Sequence, residues 1–208
     1  MSDSRAPIGA DTVEHHPLEV LTIGHSNHSE TRFVDLLSVS QVQLVIDTRS
    51  HPMSKHVPHF DMPDLRALLE RNGVAYRYLG RELGGRPADR SMYDDQGFVL
   101  YWRVAGTSAF QSGITMVLEL ARRRRLALLC SEEDPIGCHR RLLVGRVLFD
   151  KGISIGHIRA DGEIEPEEHV AARDNDLRQI PLFGSEEREW KSSLSVLQRG
   201  QRQRSSVR

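Results

Sequence analysis

The sequence predicts an α/β fold: an open, mainly parallel sheet with helices on both faces. Two observations predict it. Short continuous apolar runs alternate with segments whose apolar residues recur at helical spacing, and the clearest runs end at glycine, aspartate or cysteine. A chain of 208 residues, 38% hydrophobic and 27% charged, is large enough to bury roughly 70% of its unfolded surface in one core. No apolar run approaches the roughly 20 residues that span a bilayer, and the composition excludes collagen and coiled coil. With 28 basic and 29 acidic residues the net charge is -1, so a nucleic-acid partner has to be argued from local patches.

The elements follow in order. Residues 19–23 form a β-rich run closed by Gly24, and Leu44, Val45 and Ile46 form a second run closed by Asp47. Between them Phe33, Leu36 and Leu37 keep helical spacing after Ser29, a residue suited to an N-cap. A second helix is expected over residues 63–71, from Leu65, Leu68 and Leu69, with Asn72-Gly73 as its stop. Residues 74–79 read as the third strand. The glycine- and proline-rich stretch 80–104 reads as a surface connection over a site. Helical spacing returns at Ile114, Val117, Leu118 and Ala121. Residues 126–129 give the most apolar strand, 140–149 another helix and 153–158 a last strand. This alternation is a Rossmann-like, three-layer arrangement.

The expected organisation is a flexible leader at 1–16, a single α/β domain at 17–163 and an irregular extension at 164–208. The extension ends in a mobile tail, because from Trp190 to Arg208 there are five basic residues and no acidic one. Two cysteines and no secretion-signal pattern at the N-terminus point to a reducing cytoplasm.

In open parallel sheets, ligands gather beyond the carboxyl ends of the strands. The chemically capable residues fall there: His25 and Ser26 after the first strand, Asp47 and Arg49 after the second, Cys130 and Glu132 after the strand at 126–129, then Cys138, His139 and Arg140. Cys138 at a helix N-terminus beside a histidine and an arginine reads as an acidic thiol and nucleophile. Cys130 is then its resolving partner or a small apolar strand residue. Asp47 is either a general base or one half of an ion pair with Arg49 or Arg140. Glu132 is a second acid/base candidate or a helix cap, and His25 a proton shuttle or a structural histidine. The catalytic candidates are therefore Asp47, Cys130, Glu132, Cys138 and His25. Substrate- or anion-binding candidates are Ser26, Arg49, His139, Arg140, Lys55, Tyr78, Gly84 and Gly85.

Several classes are disfavoured. Seven residues separate the cysteines, without a Cys-x-x-Cys pair, so no metal is expected. A phosphatase loop needs an arginine six residues after its cysteine, where Ile136 and Val144 stand. Dinucleotide and Walker fingerprints are missing, so no cofactor is expected. The run 51–60, with Lys55 among histidines and prolines, can drape over a phosphodiester backbone. Arg81, Arg86, Arg90 and Arg103 with Tyr93, Tyr101 and Trp102 offer charge and aromatic faces of the kind that hold single strands, although such stretches also occur as solvated loops or core.

Taken together, residues 22–26, Asp47-Thr48-Arg49 with Pro52 and 54–60, residues 76–85 ending in Leu83-Gly84-Gly85, and Cys130-Ser131-Glu132 through Cys138-His139-Arg140 resemble the family described as domain of unknown function 488 (DUF488). The resemblance spans about residues 18–160 and implies a compact α/β domain, without implying a reaction. A separate segment, Gln179 to Phe183, resembles the Gln-x-x-Leu-Phe peptide that bacterial DNA-processing proteins insert into the sliding clamp. Gln179, Leu182 and Phe183 are its anchors, unless Leu182 and Phe183 dock on this chain's own sheet. The leading expectation is an enzyme on a nucleotide or nucleic-acid phosphate-bearing substrate, in DNA repair if the clamp peptide holds. The alternatives are a noncatalytic binding module and a thiol redox or sulfur-handling protein. No membrane partner is expected.

Overall fold

The computed structural model describes residues 18–177 and 190–196. The expected leader at 1–16 and the clamp-like segment 179–183 lie outside the described residues.

Six strands form one sheet: β1 (Glu19–Gly24), β2 (Leu44–Asp47), β3 (Ala75–Tyr78), β4 (Leu126–Cys130), β5 (Ser154–Ile158) and β6 (Ile164–Pro166). Their order is β3-β2-β4-β1-β5-β6, and all pair in parallel except β6, which lies antiparallel to β5. The α/β class and the mainly parallel open sheet are as the sequence predicts. Each of the five parallel strands lies within a residue or so of its expected bounds. A continuous apolar run is forced wherever both faces of a strand are covered.

Alternate strand residues feed two cores. Leu21, Ile23, Val45, Ala127 and Leu129 pack with Phe33, Leu36 and Leu37 of α1 (Glu30–Val39) and with Leu65 and Leu69 of α2 (Met62–Arg71). Val20, Leu44, Ile46, Leu126 and Leu128 pack on the other side with Phe110, Ile114 and Val117 of a long helix and with Leu143, Val144 and Leu148 of the helical segment after β4. Ser29 caps α1 as expected, its hydroxyl accepting the Arg32 N–H at 3.1 Å.

The connection 80–104 corrects the surface-loop expectation. It contains α3 (Gly80–Leu83) and leads into α4 (Tyr101–Ala105), and Leu83, Val99, Leu100, Tyr101 and Val104 are buried. Apolar residues spaced irregularly between glycines give no period to read, yet they close the core beside α5 (Ser108–Ala121), whose Gly113 admits Leu83 so closely that a Cβ would stand 2.8 Å from it. The helix expected at 140–149 is a π-helical turn, Arg140–Gly145, running into α6 (Arg146–Asp150). Such turns widen the helix locally and recur at functional sites.

Beyond residue 163 the expectation of irregular chain gives way to β6 and α7 (Glu167–Leu177). Their polar composition conceals a buried ionic network. Glu167 receives Arg141 Nε at 2.8 Å and lies 2.8 Å from His157 Nε2, while Arg141 Nη1 reaches Asp174 at 3.1 Å. The expected mobile tail is likewise corrected for its first residues. Trp190 donates Nε1–H to the Leu142 carbonyl at 2.6 Å and lies under Arg146, 4.6 Å from the ring centroid. No helix among the described residues is long and apolar enough to cross a membrane.

Candidate functional site

Right-handed crossovers fix where the site falls. The chain moves from β1 through β2 to the β3 edge with α1 and α2 on one face, then reverses to insert β4 between β2 and β1 with α5 and α6 on the opposite face. Loops leaving β4 and its two neighbours therefore diverge, opening a crevice at the carboxyl end of β4. Cys130 is the last residue of that strand. A cleft of about 510 Å³ lies there, with His25, Ser26, Arg49, Gly85, Cys130, Glu132 and His139 among its lining residues.

The centre of the cleft is a thiol–imidazole pair. Cys130 Sγ is 3.4 Å from His139 Nδ1, and His139 Nε2 is 3.0 Å from the Thr48 carbonyl oxygen. A carbonyl only accepts, so Nε2 carries a hydrogen and Nδ1 is the nitrogen that exchanges a proton with sulfur. Gly85 packs flat on the same ring, where a Cβ would lie 2.5 Å from Cγ. The imidazole is thus held on one edge by the carbonyl of Thr48, the residue after β2, and on one face by a glycine.

The two cysteines are free and buried, and the acidity expected at Cys138 falls on Cys130. Cys138 donates its S–H to Cys130. That hydrogen bond, reinforced against the cost of burial by the His139 cation and the Arg140 charge, holds the Cys130 thiol well below its ordinary value. Burial and the same hydrogen bond push the Cys138 thiol well up. Burial disfavours the His139 cation, but the Cys130 thiolate beside it leaves the imidazole more basic than usual. Cys138 does open a helix, but at 1% exposure desolvation outweighs the helix end. Cys130 Sγ, Cys138 Sγ and one His139 nitrogen lie within 4.8 Å of one another. Among the described residues they are the one group that could share a metal ion, a juxtaposition that sequence spacing argues against.

Asp47 forms with Arg49 the ion pair that the sequence offers beside the general-base reading. Its Oδ1 accepts the Arg49 backbone N–H at 3.0 Å and Nε–H at 2.9 Å, and its Oδ2 accepts Arg49 Nη2 at 2.7 Å and the Tyr76 hydroxyl at 2.9 Å. The carboxylate is fully buried and does not line the cleft. Arg49 also donates Nη1–H to the Phe60 carbonyl at 2.8 Å, so it anchors the 51–60 loop as well as facing the cleft. Arg140, an anion-binding candidate in the sequence, turns its donors inward. It is fully buried, its Nε 3.2 Å from Thr22 Oγ1, and its two terminal nitrogens donate to the carbonyls of Glu132 and Glu133. It therefore shapes the loop after β4. Gly24 makes room for this, because a Cβ there would overlap the Glu132 carbonyl.

His25 stacks on Phe60, with centroids 4.7 Å apart, and its Nδ1–H donates to the Ser26 carbonyl at 2.8 Å. Burial, with the Arg49 charge second, lowers its pKa to about 4, so it enters the cleft as a neutral acceptor. Its Nε2 is buried without a hydrogen-bond partner. Lys55 is exposed and off the cleft wall. Tyr78 and Gly84 border a neighbouring cavity that meets the cleft at Ser50, His51 and Arg86. The residues that sequence reasoning misses are Thr48, whose contribution is a carbonyl, and 192–196, which line the cleft from beyond the recognised motifs.

Fold and site together define a doubly wound α/β domain with a part-buried cysteine–histidine contact at its central strand end. The chain belongs to the family described as Domain of unknown function DUF488, whose model matches residues 29–147. No curated protein and no solved structure matches it.

Proposed function

We propose that this protein is a cysteine-dependent enzyme acting on a phosphate-bearing nucleotide or nucleic-acid substrate. The observation that carries the proposal is the Cys130–His139 contact, with Thr48 fixing the imidazole tautomer at the floor of an open cleft. The Cys130 thiolate forms a bond to the electrophilic centre of the substrate as the bond from that centre to the leaving group breaks. The leaving group departs with the electron pair and takes a proton from His139. Water then attacks the same centre, giving its proton back to His139 as the sulfur bond breaks, which restores the thiolate–imidazolium pair.

Substrate class is supported by the lining. Arg86, His51 and His56 face the cleft as hydrogen-bond donors, Arg49 lines it with its charge already paired to Asp47, and Glu132 is the one acid among the described residues lining it. That balance favours an anionic ligand. A place in DNA repair belongs to the same proposal through the Gln179, Leu182 and Phe183 motif, which resembles a clamp-binding peptide.

The test is intact-protein mass spectrometry after acid quench of mixtures with nucleotides and short oligonucleotides. The expected result is an adduct mapping to Cys130 with at least one of them and missing from Cys130→Ser. No adduct across the panel, together with an ordinary alkylation profile for Cys130, would refute the reading.

A further inference from the structure

The family match stops at residue 147, but the cleft does not. Residues 192–196 form part of its wall, carried there by a segment that crosses from the α6 side to the 94–100 turn. The segment is tied along its length. The Tyr101 N–H donates to the Trp190 carbonyl at 2.9 Å, the Ser192 N–H to the Val99 carbonyl at 2.9 Å, and the Val196 N–H to the Gly97 carbonyl at 2.9 Å. Side chains add more: the Ser192 hydroxyl accepts the Val99 N–H at 3.0 Å, Ser193 donates to the Gly137 carbonyl at 2.6 Å, and Ser195 donates to the Gln96 carbonyl at 2.5 Å. The Gly137 contact joins the segment to the loop that holds Cys138, directly beside the thiol pair.

The ties are unequal. Trp190 is packed against the core, whereas Ser193 is exposed and Leu194 is 49% exposed while lining the cleft. One end is therefore anchored by an aromatic ring and the Lys191–Asp94 ion pair, Ser192 and Val196 are held by backbone bonds, and the middle, Ser193–Ser195, is held by hydroxyl-to-carbonyl bonds. Such bonds are each worth only about 1 kcal/mol net, so the middle can lift without unfolding the sheet.

We propose that residues 190–196 are a strap that closes one wall of the cleft and selects, by size, which molecules reach Cys130. The inference deepens the proposed function by placing a specificity-determining element of that site outside the matched family region. Ser193 and Ser195 are positioning residues that hold the strap down, and Leu194 is the side chain that it presents to an entering molecule.

The test compares two thiol reagents on the full chain, iodoacetamide and a bulky fluorescein maleimide, at pH 9, with Cys130 modification quantified by peptide mass spectrometry. At that pH even an ordinary thiol is largely ionised, so the comparison does not depend on an acidic Cys130. Releasing the strap with Ser193→Ala/Ser195→Ala is expected to raise the maleimide-to-iodoacetamide rate ratio by about thirtyfold, the effect of losing two such hydrogen bonds on the open population. Leu194→Trp, a change at an exposed position, is expected to lower the ratio. Circular dichroism and melting temperature check that each variant is folded, and Leu194→Trp keeps the test decisive if the double variant is not. Ratios equal to that of the unaltered chain in the folded variants would overturn the proposal. A low ratio with strap-dependent change but no Cys130 adduct from any nucleotide would leave the strap standing and remove the proposed reaction instead.

Discussion

Cys130 Sγ stands 3.4 Å from His139 Nδ1, although eight residues of chain lie between them. The loop between them is folded by Arg140 from within, and by ion pairs of Glu133 with Arg159 and of Asp134 with Arg173 from outside, at 3.0 and 2.9 Å. The pair is thus a product of the loop's architecture, and its chemistry can be read through pH.

Cys130 is expected to react with iodoacetamide along a pH profile whose midpoint lies below the roughly 8.5 of a free thiol. The sign follows from the directions of the two shifts. Thiolate persists above the depressed Cys130 value and imidazolium persists below the raised His139 value, so the reactive ion pair occupies the window between them. His139→Gln removes the cation and should slow modification at pH 6 by about tenfold, after allowing for the greater intrinsic reactivity of a more basic thiolate. An unchanged profile in that variant would show that the imidazole does not activate the sulfur.

Gly85→Ala should shift the same profile upward without altering either reacting residue. The new methyl group would sit 2.5 Å from His139 Cγ, and the ring must move for it to fit. Alkylation kinetics and a crystal structure of the variant would check this; an undisturbed ring with a normal rate counts against the packing argument.

Asp47→Asn should lower stability by about 3–5 kcal/mol, the cost of stranding a buried guanidinium. Arg49 is 4% exposed and its bidentate partner fully buried, so solvent cannot take over the charge. For a chain of this size that is a fall of roughly 10 °C or more in melting temperature. If Asp47 were instead a dispensable base, melting would hardly change while turnover vanished.

Folding stability should fall as pH is lowered from about 6.5 to 4. His25 has its folded pKa lowered to about 4, chiefly by burial, so the unfolded chain binds a proton over that interval that the folded chain refuses. The stabilisation is complete above 6.5, lost progressively below it and exhausted near 4, a span on the order of 3 kcal/mol. His157, also lowered by burial, acts with the same sign. Denaturant titrations at several pH values should give a shallower dependence in His25→Gln; an identical slope would assign the effect to other groups.

The neutral state of His25 was not legible from its position after a strand, which is equally compatible with a proton shuttle. Nor was the division of labour between the cysteines. Cys138 has the charged neighbours and helix start that favour a thiolate, yet it points into the protein, and desolvation scales with depth rather than with neighbours in sequence. Thr48 could not be found at all, because any residue supplies a carbonyl.

The amino-acid order alone specified the five parallel strands, because a strand buried on both faces must be apolar throughout, and it put the polar, chemically capable residues at their ends, whereas antiparallel β6 carried no such signal. Serine before an amphipathic run likewise specified the start of α1. Three-dimensional packing set which of those groups line the cleft, as Cys130 and His139 do, and which are internal braces, as Asp47 and Arg140 are. Asp47 and Arg140 carry charge in the sequence as plainly as His139 does, but a charge acts on a ligand only if its hydrogen-bonding positions are not already filled. That filling depends on groups the fold turns inward: the Glu132 and Glu133 carbonyls around Arg140, the Arg49 guanidinium and the Tyr76 hydroxyl around Asp47.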